Sequence, residues 1–282
     1  MSRLAPHRPS WRGSLDAGPR SRLPALLALV LLAIMIAGAL WQPHAIHGID
    51  LANRLAAPSA EHWFGTDHLG RDVFSRVAAG AVPSLIAVGI ALSLTLALGA
   101  VAGAIIAFAP PMAAGLMRRF AEIVIAMPQL VVALIVAAIL GATPVTAALA
   151  LAATAWAPYA LVVAALIERL VAEPYWRAAE ALGVGRAAGF RRHLLPNIRG
   201  PLGALAGADG ARAVVLVASL GFLGLAADSG SPEWGAMIHE YRVFIYDAPR
   251  LLLFPMIAVA ALALSLNLLL DTGSDAPSRR FR

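Results

Sequence analysis

The sequence contains no cysteine and no lysine. Without cysteine, the chain has no disulfide, no thiol nucleophile and no thiolate ligand for a metal. Without lysine, it cannot form a Schiff base, and it cannot build the GxxxxGK(S/T) loop in which lysine reaches the β- and γ-phosphates of ATP. Hydrolysis of ATP through such a loop is therefore excluded for this chain.

Charge is scarce as well. Only 13% of the 282 residues are charged and 60% are hydrophobic, whereas a soluble domain is about one quarter charged. This composition predicts a membrane protein. Five apolar stretches approach or exceed the ~20 residues that span a bilayer, and they lie at residues 23–40, 82–109, 123–167, 201–225 and 251–270. The turn signal Gly141-Ala-Thr-Pro144 divides the longest stretch into two helices, so we expect an all-α, polytopic bundle of six transmembrane helices.

The positions of the arginines predict the orientation of this bundle. With the N-terminus inside, 16 arginines fall in cytoplasmic segments and five in outer ones, and cytoplasmic loops carry the excess of basic residues. We therefore expect both termini in the cytoplasm, and we interpret the net charge of +6 as topology in a lipid bilayer rather than as a nucleic-acid site. The expected segments are a basic tail (1–22), helix 1 (23–41), an outer segment (42–81), helices 2–6 (82–271) with a cytoplasmic loop (168–200), and a cytoplasmic tail (272–282).

Helix 1 has an alternative interpretation as a cleaved signal peptide. A basic segment precedes it, and Ala37-Gly38-Ala39 resembles a cleavage site with small residues. Its apolar stretch is longer than the ~7 to 15 residues of most signal peptides. We therefore expect a retained helix, and the topology of the later helices is the same in either case.

The long cytoplasmic loop carries nine charges. Pro174 suits the first turn of a helix, and Gly183 suits its end. Such a helix would place Ala178, Ala179 and Leu182 on one side by their i, i+3, i+4 spacing. It could lie on the bilayer surface, or it could dock in a groove of a partner protein. The residues alone leave both alternatives open.

This loop resembles a signature of the permease subunits of ATP-binding cassette (ABC) importers, specifically the dipeptide, oligopeptide and nickel permease family. The signature is Glu-Ala-Ala, three residues, Gly, nine residues, Ile, one residue and Leu-Pro. At this spacing the chain has Arg177-Ala-Ala, Gly183, His193 and Leu195-Pro196, so the first and the isoleucine positions depart from it. Four further segments resemble family motifs in the right order, at residues 64–76, 219–225, 232–235 and 254–271.

The resemblance implies a type I ABC importer permease fold and a division of labour. The chain would form half of the translocation pathway for a peptide, nickel or metal-chelate substrate, and would have no catalytic residues or cofactor of its own. A coupling helix at about residues 173–189 would sit in a groove of a cytoplasmic ATPase. The coupling residues would be Arg177, Ala178, Ala179, Glu180, Leu182, Gly183, Leu195 and Pro196. The implied partners are a homologous permease subunit in a heterodimer, two ATP-binding subunits and a substrate-binding protein, at a bacterial inner membrane.

Two charges interrupt the predicted fifth helix. Ionisable groups inside the membrane are costly, so Asp209 and Arg212 are candidate pathway residues. Their i, i+3 spacing also allows a simple mutual salt bridge, which we favour. Two alternative functions stay open: an ion-coupled secondary transporter that uses this pair, and a membrane-embedded assembly subunit.

Histidines and glycines receive mostly structural interpretations. Outer segments hold His44, His47, His62, His68 and His239. Imidazole binds Ni²⁺ and Zn²⁺, and His44 and His47 with His239-Glu240 would suit delivery of such an ion. Polar residues are nevertheless ordinary in outer loops, so we assign no metal site. The GxxxG pairs Gly99/Gly103 and Gly203/Gly207 predict close helix packing.

Overall fold

The computed structural model describes residues 23–141, 143–224 and 232–273. Within these ranges the chain folds into α-helices without a strand, which confirms the all-α prediction. The helices are α1 (Leu23–Leu40), α2 (Val73–Ala79), α3 (Ala81–Phe108), α4 (Pro111–Ala126), α5 (Gln129–Leu140), α6 (Pro144–Val171), α7 (Pro174–Ala181), α8 (Arg186–Gly189), α9 (Leu195–Phe222), α10 (Trp234–Tyr241) and α11 (Arg250–Gly273). A π-helical turn, Phe190–Leu194, joins α8 to α9. The predicted tail 1–22 and nearly all of the tail 272–282 lie outside the described residues.

Four spans are long and apolar enough to cross a membrane by themselves: α1, α2 with α3, α6, and α11. Two more spans are bent. The pair α4 and α5 bends by 93°, and α9 bends by 45° between Gly207 and Asp209. If α4 with α5 counts as one span and the bent α9 as another, the described residues contain six spans, as predicted.

The third span was predicted as a single apolar helix that starts near residue 123, and the structure differs from this prediction. It begins at Pro111 and breaks at Met127 and Pro128. The break has a local cause, because proline disfavours helical geometry in the residue before it. Met127 accordingly has extended backbone angles, φ −77° and ψ 138°.

Close packing of α3 against α6 forms the centre of the bundle. A Cβ atom built on Gly99 would lie 2.4 Å from the Cβ of Tyr159, and one on Gly103 would lie 2.6 Å from the Cβ of Val163. The prediction for this GxxxG pair is confirmed. It is wrong for Gly203, where an added Cβ meets no atom of the described residues within 4 Å.

The helices separate two polar ends. At one end, residues 41–80 and 232–249 pack together, and we call them the outer cap after the orientation that the arginine positions predict. Arg250, at the base of this cap, donates to the carbonyls of Leu55 (2.8 Å) and Ala56 (3.0 Å). At the opposite end, an ion pair between Arg118 and Glu168 (2.8 Å) joins α4 to α6 beside the loop that holds α7 and α8.

Candidate functional site: an exposed loop helix and an intramembrane cavity

The loop helix α7 begins at Pro174, as predicted, but it is shorter than the expected 173–189. It ends because Gly183 adopts φ +79°, a conformation in which glycine carries no Cβ penalty. The N–H of Val184 then donates to the carbonyl of Ala179 (3.1 Å), which is the six-to-one bond of a Schellman cap. The chain changes direction there before it enters α8.

Trp176, which was not among the predicted site residues, anchors this helix. The Trp176 side chain is only 3% exposed and packs with Ile167 of α6 and Ile198 of α9. Gly189 makes room for it, since a Cβ there would lie 2.8 Å from the indole ring. A large aromatic residue inside an otherwise polar, charged loop is the signal that could have identified this anchor.

The predicted coupling residues surround the anchor on the outside. Arg177 and Ala178 are exposed, Ala179 is half-buried, and Leu182 is 84% exposed. Leu195 and Pro196 are exposed at the start of α9, directly after Leu194, which is buried in the same cluster as Trp176. The side chain of Glu180 lies outside what the structure describes. The loop therefore presents a small-residue surface and one projecting leucine, held in place from behind.

A second feature is a cavity of about 190 Å³ inside the bundle. It lies where α3, the break between α4 and α5, α6 and α9 meet. Its polar lining residues are Thr95, Gln129, Thr154, Tyr159, Asp209 and Arg212. The buried hydroxyl group of Tyr159 faces this region beside Asp209.

The structure places Asp209 and Arg212 in the lining of this cavity. Their expected salt bridge is present but long, 4.0 Å from guanidinium nitrogen to carboxylate oxygen. Arg212 also donates to the amide oxygen of Gln129 (3.0 Å), and its side chain remains 63% exposed. Gln129 was not predicted as a site residue, although a polar residue directly after Pro128 in an apolar stretch signals a break that exposes it.

The outer cap holds a buried charge network. Asp67, whose side chain is fully buried, accepts from the Nε of Arg71 (2.6 Å). Arg71 also pairs with Glu240, and Arg76 donates to the same carboxylate (3.0 Å) and to the hydroxyl of Tyr241 (3.1 Å). Burial opposes the charged form of Arg71, but its bond to Glu240 and the charge of Asp67 raise its pKa. The network ties the segment before α2 to α10.

The cap also groups the outer histidines differently from the sequence-based suggestion. His44 lies beside His62 and Asp72, and their three ligand atoms are within 4.8 Å of one another. His47 is exposed, and the Nδ1 of His239 contacts the carbonyl of Phe222 (2.5 Å). The suggested set of His44 and His47 with His239-Glu240 is therefore not assembled.

Comparison with known proteins identifies relatives over most of the chain. Residues 96–282 match the protein family described as binding-protein-dependent transport system inner membrane component. The chain is 33% identical over 270 residues to a dipeptide transport system permease protein of Alkalihalophilus pseudofirmus, covering 94% of this chain and 88% of the relative. It is 33% identical over 259 residues to a nickel transport system permease protein of Escherichia coli, covering 90% and 94%. It is 32% identical over 256 residues to a glutathione transport system permease protein of Shigella dysenteriae, covering 90% and 84%.

Proposed function

Because this chain belongs to the family of binding-protein-dependent transport system inner membrane components, we propose that it forms one half of a translocation pathway driven by separate ATPase chains. The chain is a multi-pass inner-membrane permease subunit of an ABC importer and not an enzyme. The observation that supports the finer proposal is the loop around α7, where the predicted coupling residues Arg177, Ala178 and Leu182 are exposed and Trp176 of α7 is buried.

The ATPase contact in this proposal is the exposed side of α7 together with the start of α9. Small side chains at Ala178 and Ala179 let a partner surface approach closely, and Leu182 supplies an apolar group for a groove. Trp176 links this contact to two membrane helices, because it packs in one buried cluster with Ile167 of α6 and Ile198 of α9. A displacement of α7 by the ATPase would therefore move both helices.

The proposed orientation puts both termini and this loop in the cytoplasm. Support comes from the 16 arginines that this orientation assigns to the inside. The outer cap then faces the substrate-binding protein. The chain would pair with a homologous permease in a heterodimer, and two ATP-binding subunits would bind below them.

The proposed substrate pathway passes through the cavity at the bend of α9. Asp209 and Arg212 present one charge of each sign there, and Gln129 adds an amide. This set suits the ammonium and carboxylate groups of a small peptide. No histidine lines the described cavity, so a bare nickel ion would find no imidazole ligand. Two of the relatives above are named for dipeptide and glutathione transport, which also favours a peptide.

Reconstituted uptake tests the proposal as a whole. The chain is placed in proteoliposomes with its permease partner, both ATPases and the binding protein, and peptide uptake is measured. We expect uptake to require ATP hydrolysis and to survive collapse of the proton gradient. Uptake that persists with hydrolysis-dead ATPases but stops without the proton gradient would overturn it in favour of ion-coupled transport through Asp209 and Arg212.

A matched pair of exposed residues tests the coupling surface. Burying a leucine side chain contributes about 1.5 to 3 kcal/mol, and Leu182 is available for burial because it is 84% exposed. We expect L182E to weaken binding of the ATPase subunits roughly 10- to 100-fold. Tyr246 is 96% exposed at the opposite end, so Y246E is the control and should leave the affinity unchanged. Equal affinities for the two variants would show that α7 is not the docking helix.

A separate variant tests the pathway. R212Q removes the guanidinium charge from a side chain that is largely exposed within the cavity, and should therefore leave folding intact. We expect higher substrate KM for uptake with unchanged ATPase binding. Wild-type uptake by R212Q would exclude Arg212 from substrate recognition.

A further inference from the structure

Three donor groups converge in the outer cap. His44 follows α1, His62 lies in the loop before α2, and Asp72 caps the N-terminus of α2. The Nδ1 of His62 is 2.9 Å from Oδ1 of Asp72, and the Nδ1 of His44 is 3.8 Å from Oδ2. The two imidazole rings lie 4.6 Å apart. Tertiary packing therefore builds a compact group of two imidazoles and one carboxylate from distant segments.

The surrounding structure holds these groups in place. Asp72 is almost fully buried, and its Oδ2 accepts from the N–H of Ser75 (2.8 Å). The hydroxyl of Ser75 in turn accepts from the backbone N–H of His44 (3.2 Å). Such outer contacts orient ligands in metal sites. The donors are thus positioned before any ion binds.

The group lacks a cation among the described residues. Asp72 forms no ion pair with an arginine there, and the Nδ1 of His44 is buried without a hydrogen-bond partner. A neighbouring cluster of Asp67, His68 and Glu240 has similar spacing, but Arg71 and Arg76 already neutralise it. Among the described residues, the only titratable side chains paired with the buried carboxylate of Asp72 are the two imidazoles.

We propose that His44, His62 and Asp72 bind one divalent transition-metal ion, with Ni²⁺ or Zn²⁺ chemistry. Imidazole nitrogen suits these ions better than Mg²⁺ or Ca²⁺, which prefer oxygen ligands. Donors about 2.0 to 2.1 Å from such an ion are about 3.0 to 3.4 Å apart. The three ligand atoms lie within 4.8 Å of one another, and the two imidazoles are 2.9 and 3.8 Å from different oxygens of Asp72. Side-chain movements on the order of 1 Å would bring all three onto one ion. The ion would fasten the segment after α1 to the start of α2. This site lies outside the intramembrane cavity.

Metal titration of the full chain tests the site. The protein is purified in detergent without a histidine tag. It then competes with a chromogenic chelator for Ni²⁺ or Zn²⁺, with no other ligand present. We expect one equivalent to bind, and we expect H44A and H62A to weaken binding at least ~10-fold, since even loss of outer-shell contacts has effects of that size. His47 is exposed three residues from His44, so H47A is the matched control and should bind as the wild type does.

Two further measurements separate ligation from misfolding. The metal should raise the melting temperature of the wild type and H47A but not of H44A or H62A, because an ion that binds the folded state stabilises it. X-ray absorption of the Ni²⁺-loaded protein should report two imidazole ligands. Equal affinity in H44A, H62A and H47A, or absence of binding to the wild type, would overturn the proposal. Neither measurement involves ATPases or substrate, so failure here is distinct from failure of the transport proposal.

Discussion

Replacing Asp67 by asparagine tests whether the buried charge network stabilises the outer cap. The Asp67 carboxylate accepts four hydrogen bonds, from Leu69 N–H, Arg71 N–H, Arg71 Nε and the hydroxyl of Tyr241. An asparagine oxygen can keep the two backbone bonds. Its NH₂ group would then face the Nε of Arg71, so D67N loses the charge-assisted bond and leaves a guanidinium without its buried partner.

The size of the effect follows from what remains. Removing one member of a buried ion pair costs about 3 to 5 kcal/mol. Glu240 still faces both Arg71 and Arg76, and its side chain is 31% exposed, so the lower end of that range, about 3 kcal/mol, is the expected loss. For a chain of this size each kcal/mol lowers the melting temperature by roughly 2 to 4 °C. D67N should therefore melt roughly 6 to 12 °C below the wild type.

Thermal unfolding in detergent, followed by intrinsic tryptophan fluorescence, measures this shift. Asp247 lies exposed at the same end of the molecule, so D247N makes the same chemical change without burial. It should melt with the wild type. If D67N also melts with D247N, the network does not stabilise the cap, and the reasoning from its burial is wrong.

Two further predictions concern packing and pH. G99A should destabilise the protein by about 1 to 3 kcal/mol, because its new Cβ would lie 2.4 Å from that of Tyr159. The control G89A has open space around it and should instead stabilise the helix by about 0.5 to 1 kcal/mol. Equal melting temperatures for the two variants would contradict the packing argument. Burial raises the pKa of Glu233 from 4.5, against the opposing N–H bonds from Gly235 and Ala236. The folded state then holds this proton more tightly than the unfolded state, so the contribution of Glu233 to stability is full below pH 4.5 and is lost as the pH rises through the folded pKa. Melting curves of the wild type and E233Q across this range should diverge with rising pH, and parallel curves would refute the assignment.

Much of the membrane fold was predictable because the bilayer imposes a simple rule. Apolar length and the Gly141-to-Pro144 turn signal were enough for six spans, and Gly99 and Gly103 indicated a close contact. The break at Pro128 was not predicted, although proline was its local signal. Gly203 has the same local pattern as Gly99 but lies in open space, because spacing along one helix does not say whether another helix is opposite.

The candidate site shows the same division. The loop helix, its start at Pro174 and the grouping of Ala178, Ala179 and Leu182 on one side followed from residue spacing. The anchoring role of Trp176 could not be predicted in this way, because it depends on packing with Ile167 and Ile198, which belong to two other helices. Likewise Asp209 and Arg212 were visible as charges in an apolar stretch. Gln129, which accepts a hydrogen bond from Arg212, reaches that residue only because of the bend between α4 and α5.

The sequence by itself determined that this protein crosses a membrane, that ATP hydrolysis through a lysine-containing phosphate loop is excluded, and that a charged loop carries a short helix. These conclusions depend on composition, residue absence and local periodicity, which need no knowledge of distant contacts. Only the tertiary structure decided which face of that helix is free, which polar groups share the cavity, and that His44, His62 and Asp72 meet in the outer cap. Those properties arise where segments far apart in the chain pack together, and local sequence patterns do not predict such long-range contacts.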